Sequence, residues 1–348
     1  EILEKHRFEV ALFDEVQALK NQASRRSRAA RRLARNFTVC LTGTPMENHP
    51  GEYHAIMDLA LPGLMGERKA FARALKDGDH TALRRARPFL LRRTKDAILR
   101  ELPPKVESDI PLQMNEAQRE IYTRLVGEVR EEVLSAYQKQ TRAQAGITAL
   151  AALTRLRQVC VSPALLGHEP GHAEPKIAYL VDTLAELRAE GHAVLVFSQF
   201  VKALDRIEAA LRAQGTAPLR LDGGTPAADR KAAVERVQTS PDPEVFLVRL
   251  KAGGVGLKLT RASHVIHVDP WWNPSVENQA SDRAHRIGQD KTVFVQRLLM
   301  RDSVEEKIMA LKARKRALFD SIVGDHAADD EGAPVITRED FRFLLGEA

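Results

Sequence analysis

The sequence has few cysteines, few aromatic residues and no long apolar run. Its 348 residues include only Cys40 and Cys160, too few for a disulfide framework or a structural zinc site. No window approaches the roughly 20 apolar residues that cross a bilayer, so no membrane contact is expected. With 44% apolar and 29% charged residues, the composition excludes a disordered tail or a collagen-like fibre. A reducing, cytoplasmic setting is the default expectation.

Positive charge is concentrated in two stretches. The net charge is +6, which is compatible with a polyanionic partner such as nucleic acid. It is equally compatible with arginines that only decorate solvated helix faces. The two stretches consist of Arg25, Arg26, Arg28, Arg31, Arg32 and Arg35, and of Arg84, Arg85, Arg87, Arg92, Arg93 and Lys95.

Short β-rich apolar runs alternate with helical patterns in two regions, as in parallel α/β units. The first region has runs at 8–13 and 38–44, separated by a basic helix at 24–35. In the second region, apolar residues at helical spacing lie between the strand patterns, which predicts a nearly complete doubly wound domain. Its five strand patterns are at 193–200, 219–224, 244–250, 264–269 and 292–300.

The middle of the chain, residues 101–171, lacks strand patterns and predicts long helices after an N-cap at Asn115. Capping boxes predict two further helices, one from Ser303 with Glu306 and one from Thr337 with Asp340. A Pro/Gly/His-rich stretch at 167–176 is interpreted as a solvated linker and not as a metal site. The predicted domains are therefore 1–100, a helical insertion and linker at 101–172, a second α/β domain at 173–325, and a helical tail at 326–348.

Asp14 and Glu15 directly follow the first apolar strand. The carboxyl end of a strand is where open α/β sheets bind ligands. One carboxylate there can hold Mg2+ on phosphates while its neighbour activates water. A surface turn is the commoner explanation for such a pair. The stretch continues as D-E-V-Q, however, and L-T-G-T-P-M-E-N (41–48) ends the next strand in a tight turn.

These two segments resemble helicase motifs II and III, and later segments extend the resemblance. In order, K-A-G-G-V-G-L-K-L-T (251–260), D-P-W-W-N-P (269–274) and Q-A-S-D-R-A-H-R-I-G-Q (279–289) resemble motif V, the Trp-rich segment and motif VI of Swi/Snf-type ATPases of helicase superfamily 2. F-S-Q-F (197–200) and L-D-G-G-T (221–225) are similar to motif IV and the loop after it. The resemblance covers residues 8–323.

The resemblance implies an α/β fold of two RecA-like parallel-sheet lobes, the first truncated, with a helical insertion and a C-terminal helical brace. It implies an ATP- and Mg2+-dependent translocase on double-stranded DNA that moves or strips bound proteins. Such a protein is expected to be a nucleoid-associated monomer. Two alternatives stay open: a helicase acting on RNA or single-stranded DNA, and a non-catalytic DNA-binding remnant.

The resemblance also assigns roles to residues. Asp14 and Glu15 would hold Mg2+ and activate water, while Arg283 and Arg286, three apart on a predicted helix, would stabilise charge on the transferring phosphate. Of Trp271 and Trp272, one is expected to be a buried anchor. The remaining assignments are Gly254, Gly256, Gln279 and Asp282 to ATP binding, and Thr44, Ser198, Gly223, Gly224, Thr225, Lys251, Gly253 and Trp272 to DNA binding.

The sequence departs from the family pattern in several places. Arg249 stands where Ser or Thr is usual and Lys258 where Asn is usual, which either strengthens the grip on phosphates or alters coupling. The chain also contains no G-K-[ST], the loop that cradles the β- and γ-phosphates. In the family that loop lies upstream of the D-E motif. The chain is therefore expected to comprise the end of lobe one and all of lobe two, and to hydrolyse ATP negligibly by itself.

Overall fold

The structure is a computed structural model that describes residues 2–42, 50–91, 102–168, 174–250, 257–271, 274–323 and 338–346. The chain forms two compact units, one of Glu1–Ile98 with Ala313–Val335 and one of Leu99–Lys312 with Ile336–Ala348. Each unit contains a parallel β-sheet, which confirms the predicted α/β class. Within the described residues, no helix is long and apolar enough to cross a membrane.

The first unit is built on two parallel strands, β1 (Arg7–Phe13) and β2 (Ala34–Cys40). A 3-10 turn (Val16–Leu19) and helix α1 (Arg25–Arg32) connect them, and the Ser24 side chain caps α1. β2 begins before the run predicted at 38–44, and α1 is shorter than the predicted helix at 24–35. Helices α2 (Pro50–Ala60), α3 (Arg68–Lys76) and α4 (Thr81–Ala86) follow β2.

The two faces of this small sheet differ in burial. On one face, Phe13 and Cys40 pack with Val16, Ile56 and Leu59, so that α2 covers it. The other face carries apolar side chains paired across the strands, with Val10 opposite Phe37 and Leu12 opposite Val39. Their exposed fractions are 56%, 69%, 60% and 36% in that order. Among the described residues, one face of the sheet is therefore an exposed apolar surface.

The second unit contains a sheet of six parallel strands in the order β3-β8-β7-β4-β6-β5. The strands are β3 (Lys105–Leu112), β4 (Val194–Ser198), β5 (Leu219–Leu221), β6 (Val245–Arg249), β7 (His264–His267) and β8 (Val293–Met300). Helices α7 (Pro175–Ala189), α8 (Val201–Ala213), α9 (Ala227–Thr239) and α10 (Pro274–Ser281) lie between them in sequence. β4 is buried along its whole length and pairs with both β6 and β7. The order of the strands therefore reverses next to β4.

The prediction that residues 101–171 lack strands is wrong. β3 pairs along its full length with β8 and forms the edge of the six-stranded sheet. Its middle carries Glu107, Ser108 and Asp109, and Pro111 lies near its end. An edge strand tolerates charged residues and proline because one side of it faces no neighbour. The alternation of apolar and polar residues that predicts a strand is therefore absent from the middle of β3.

Four helices form a second apolar core in this unit. α5 (Glu116–Lys139) begins after Asn115, whose side chain accepts a hydrogen bond from the Gln118 amide, as predicted. α6 (Arg142–Val161) begins with a capping box of Thr141 and Gln144. α11 (Val304–Val323) begins after Ser303, as predicted, and α12 (Arg338–Leu345) lies near the C-terminus. Each of the four helices contributes buried side chains to one shared core, for example Val129, Leu153, Ile308 and Phe341.

Candidate functional site

Asp14 and Glu15 lie at the carboxyl end of β1, in the first unit. Glu15 adopts the left-handed backbone conformation, with φ 49°, which residues other than glycine rarely adopt. Its amide donates a hydrogen bond of 2.9 Å to Asp14 Oδ1, which holds the turn. Asp14 is exposed and Glu15 is half-buried. The turn therefore presents two neighbouring carboxylates at the edge of the sheet.

Gln17 connects this turn to the segment after β2. Its Nε2 donates to Glu15 Oε2, and its Oε1 accepts a hydrogen bond of 2.7 Å from Thr42 Oγ1. Between them, the fully buried Val16 donates its amide to Leu41 O at 3.0 Å. Gln17 is not among the predicted site residues, although the D-E-V-Q motif contains it. Its position two residues after Glu15 was the available signal.

The two carboxylates fit a magnesium ion chemically. Mg2+ prefers hard oxygen ligands and is usually bound through one or two carboxylates together with substrate phosphates. Asp14 Oδ2 makes no hydrogen bond within the described part of the chain. Asp14 would therefore be the direct ligand, with Glu15 beside it.

In the second unit, Asp269 connects two strand ends at the carboxyl edge of the sheet. Its Oδ1 accepts hydrogen bonds from Ser198 Oγ at 2.5 Å and from the Gln199 amide at 3.3 Å. Ser198 is only 1% exposed. The predicted DNA contact through Ser198 therefore does not fit the structure, because its hydroxyl points inward and positions the loop. Asp269 lies beside β4, where a doubly wound sheet binds ligands.

Arg157, on α6, is buried against the same loop. Its Nη2 donates to Pro270 O and lies 3.4 Å from Asp269 Oδ2. The guanidinium also lies over the rings of Phe200 and Trp271, 5.7 and 5.8 Å from their centroids. Burial lowers the pKa of Arg157, and the carboxylate of Asp269 opposes that shift. This residue was not predicted, because the sequence of α6 does not show that Asp269, Phe200 and Trp271 surround its guanidinium.

Glu277, on α10, anchors the other side of the loop. It accepts hydrogen bonds from the Trp271 amide, Arg297 and Lys312. Burial alone would raise the pKa of Glu277, but Lys312, His267 and Arg297 outweigh it and hold the pKa at about 2. Trp271 is partly buried against the apolar core of the sheet. It therefore matches the expected buried anchor of the tryptophan pair.

The prediction that Arg283 and Arg286 share one side of a helix is wrong. α10 ends at Ser281, and both arginines lie in the series of tight turns that follows. Arg283 lies over the Phe197 ring at 5.8 Å, and burial lowers its pKa to about 10. Its Nη1 has no hydrogen-bond partner among the described residues. Arg286 is exposed. The two guanidinium groups therefore lie in different environments.

The turn after β5 is held by the carboxylate of Asp222. Oδ1 accepts from the Gly224 amide at 2.9 Å, and the Asp222 amide donates to Thr225 Oγ1 at 3.0 Å. Gly223 and Gly224 are exposed and Thr225 is partly exposed. Gln279 is also exposed, at the end of α10, and Asp282 is partly exposed. The other predicted site residues lie outside the described residues, namely Thr44, Lys251, Gly253, Gly254, Gly256 and Trp272.

Family models match most of the chain, the SNF2-related domain over residues 1–165 and the helicase conserved C-terminal domain over residues 175–288. The putative ATP-dependent helicase/translocase YwqA of Bacillus subtilis is 35% identical over 327 residues, covering 89% of this chain and 35% of YwqA. An uncharacterized ATP-dependent helicase of Mycoplasma pneumoniae is 34% identical over 322 residues, covering 91% of this chain and 31% of that protein. The chain spans about a third of the length of these curated relatives.

A solved structure is similar over almost the whole chain. The SWI2/SNF2 ATPase core of Sulfolobus solfataricus in complex with dsDNA is 30% identical, with a TM-score of 0.57. The match covers 99% of this chain and 74% of that one. Sequence motifs, family models and fold therefore agree.

Proposed function

The chain belongs to the SNF2 family of helicase-like ATPases, and from this premise we propose that the complete protein is an ATP-dependent translocase on double-stranded DNA. The observation that carries the proposal is the pair of side-chain hydrogen bonds by which Gln17 connects Glu15 to Thr42. These hydrogen bonds connect the Glu15 carboxylate, which is suited to activate water, to the segment after β2. That segment leads to Thr44, a predicted DNA contact. Duplex DNA as the partner is supported by the solved relative, whose core is in complex with dsDNA.

In the first unit, hydrolysis would depend on the carboxylate turn. Bound Mg2+, held by Asp14, would neutralise charge on the phosphates of ATP. Glu15 would accept a proton from the water whose oxygen attacks the γ-phosphorus, as the bond to the bridging oxygen of ADP breaks. The left-handed backbone conformation of Glu15 determines the direction in which its side chain leaves the main chain. Strained backbone of this kind is concentrated at functional sites.

In the second unit, the exposed Arg286 would stabilise charge on the transferring phosphate. Arg283 lies over the Phe197 ring and would orient the same turn. Gln279 and Asp282 would contact the nucleotide, together with Gly254 and Gly256. The group proposed to contact backbone phosphates of DNA consists of Thr44, Gly223, Gly224, Thr225, Lys251, Gly253 and Trp272.

Contacts of this kind position a protein on DNA without selecting a sequence. Because these contacts select no sequence, we propose that the protein acts on many sites of the nucleoid. There it would move or remove proteins bound to the duplex. We also propose that it acts as a monomer.

The test measures phosphate release by the full-length gene product with duplex DNA, single-stranded DNA or RNA. We expect stimulation chiefly by duplex DNA and its loss in Glu15→Gln and Arg286→Ala. Arg212→Ala removes another exposed arginine, on α8, and should leave turnover unchanged. Stimulation by single strands or RNA instead would favour a helicase. Absence of turnover with every polymer would leave a DNA-binding protein.

The 348-residue chain by itself is expected to release negligible phosphate, because it contains no G-K-[ST] loop. The same assay on the purified chain tests this. Turnover that Glu15→Gln abolishes would disprove it.

A further inference from the structure

Arg249, at the carboxyl end of β6, has no counter-ion among the residues that the structure describes. Its side chain makes no ion pair or hydrogen bond with the residues that the structure describes, and it is partly exposed. The nearby Arg220 contrasts with it, because Arg220 is neutralised by Asp205, Glu208 and Asp222 at 2.7, 3.0 and 2.9 Å. The charge of Arg249 is therefore available to a ligand.

The guanidinium of Arg249 lies against the turn after β5. A Cβ atom placed on Gly223 would be 3.3 Å from Arg249 Nη1. A side chain at this position would require the guanidinium to move by a few tenths of an ångström. The exposed Gly223 amide also makes no hydrogen bond within the described chain. The guanidinium of Arg249 and the amide of Gly223 are therefore neighbouring donors, and neither has a hydrogen-bond partner among the described residues.

The turn is already rigid before any ligand arrives. Asp222 holds the Gly224 amide and the Thr225 hydroxyl, and Arg220 compensates its negative charge at 2.9 Å. An anion at Gly223 would therefore meet a backbone amide in a hydrogen-bonded turn, and the one carboxylate of that turn is already paired with Arg220. A guanidinium suits phosphate oxygens because its fork can donate two parallel hydrogen bonds.

We propose that Arg249, together with the Gly223 amide, binds one backbone phosphate of the nucleic acid. This inference rests on the proposed function and adds to it a residue that departs from the usual Ser or Thr. From the sequence, Arg249 could either strengthen binding to phosphates or alter the coupling of hydrolysis to movement. The geometry favours stronger binding to phosphates. The contact is independent of base sequence, because it involves no base edge.

The test is the salt dependence of binding, measured with the 348-residue chain and a fluorescently labelled duplex by anisotropy. Each phosphate contact contributes about 0.9 to the slope of log affinity against log salt on duplex DNA. Arg249→Ser should lower the slope by that amount, equivalent to a roughly three- to fourfold difference between about 50 and about 200 mM salt. Arg249→Lys should keep the slope.

Two further variants control for general charge and for geometry. Arg212→Ser removes an arginine that is paired with Glu208 at the end of α8 and should leave the slope unchanged. Gly223→Ala should weaken binding, and adding it to Arg249→Ser should produce little further loss.

An unchanged slope in Arg249→Ser, or an equal loss in Arg212→Ser, would overturn the inference while leaving duplex binding intact. Binding only to single strands would instead refute the proposed duplex specificity. The inference would then be judged on that polymer, where each contact contributes about 0.7. A chain that binds no nucleic acid would refute both.

Discussion

Gln17 uses both ends of its amide, one on Glu15 and one on Thr42. Because the carboxylate can only accept, the Gln17 amide must direct its Nε2 to Glu15 and its Oε1 to Thr42. The position of the Glu15 carboxylate is therefore coupled to that of the Thr42 hydroxyl. A shift of the Glu15 carboxylate during hydrolysis would move or release Thr42. The side chain is thus suited to link turnover to the nucleic-acid contact expected at Thr44.

Gln17→Leu keeps the approximate size of the side chain and removes both hydrogen bonds. A hydrogen bond to a charged group contributes about 1.5–3 kcal/mol, so we expect duplex-stimulated phosphate release by the full-length product to fall roughly tenfold or more. Duplex affinity should stay within about twofold of the parent. Gln214→Leu, at an exposed position in the second unit, is the matched control. Equal losses with and without DNA would show that Gln17 serves hydrolysis alone.

At the scale of elements, Arg157 ties α6 to the loop between β7 and α10. The guanidinium and Asp269 are almost completely buried, with exposed fractions of 1% and 0% for their side chains. Such a pair adds little net stability, but removing one partner leaves the other charge buried and uncompensated. The loop also contains both tryptophans of the chain, Trp271 and Trp272. Tryptophan fluorescence, excited selectively over that of the four tyrosines, therefore reports on this loop alone.

Arg157→Met should lower the free energy of unfolding by about 3–5 kcal/mol, because the buried carboxylate of Asp269 loses its ion-pair partner. It should also increase acrylamide quenching of tryptophan fluorescence, because the loop loses its anchor. Leu153→Ala, one turn earlier on α6 and fully buried, should cost a similar amount, about 2–5 kcal/mol, without changing the quenching. If both variants alter the quenching equally, Arg157 stabilises the helix core and does not position the loop.

His267, on β7, makes the stability of the second unit dependent on pH. It is 1% exposed and stacks on Phe197 at 5.4 Å. Burial is the main reason that the pKa of His267 is lowered to about 4; Glu277 opposes this shift, and Arg297 and Lys312 add to it. In the unfolded chain the pKa is about 6.5. As pH falls from about 6.5 to about 4, only the unfolded chain takes up this proton, so stability falls.

The expected loss is at most about 1.4 kcal/mol per pH unit for this one group. Denaturant unfolding at about pH 7 and about pH 5 measures it. His267→Gln should flatten the dependence without abolishing it, since burial also lowers the pKa of His264 to about 4. His6→Gln, at an exposed position in the first unit, should leave it unchanged. A dependence unaltered in His267→Gln would contradict this account.

Elements with strong local signals were predictable from the sequence. The Asn115 cap and the buried strands β4, β6 and β7 were found because a capping side chain and a continuous apolar run need no tertiary context. β3 was missed because its register and its partner are set by β8, more than half the chain away. Arg283 and Arg286 were assigned to a helix because they are three residues apart, but the sequence does not show that α10 ends at Ser281 and that tight turns follow. Arg157 could not be found at all, since its role depends on Asp269 and Trp271.

At the scale of the molecule, the two units differ in how completely their sheets are covered. The six-stranded sheet has apolar cores on both faces, as parallel sheets require. In the part of the chain that the structure describes, the two-stranded sheet of the first unit has one covered face. Val10, Leu12, Phe37 and Val39 on the other face form a contiguous apolar surface. Surfaces of this kind are normally covered by another element or by a partner.

The 348-residue chain is therefore expected to bind a hydrophobic dye and to associate as its concentration rises. Leu12→Lys with Phe37→Lys should reduce both effects, because each lysine interrupts one of the two directly paired rows. Light scattering over a concentration series, with dye fluorescence on the same samples, measures the change. Leu91→Lys with Ile147→Lys is the matched control, since these side chains are exposed at 79% and 70% outside the sheet. If the control variant suppresses association as strongly, the general gain in charge and not the uncovered sheet face governs it.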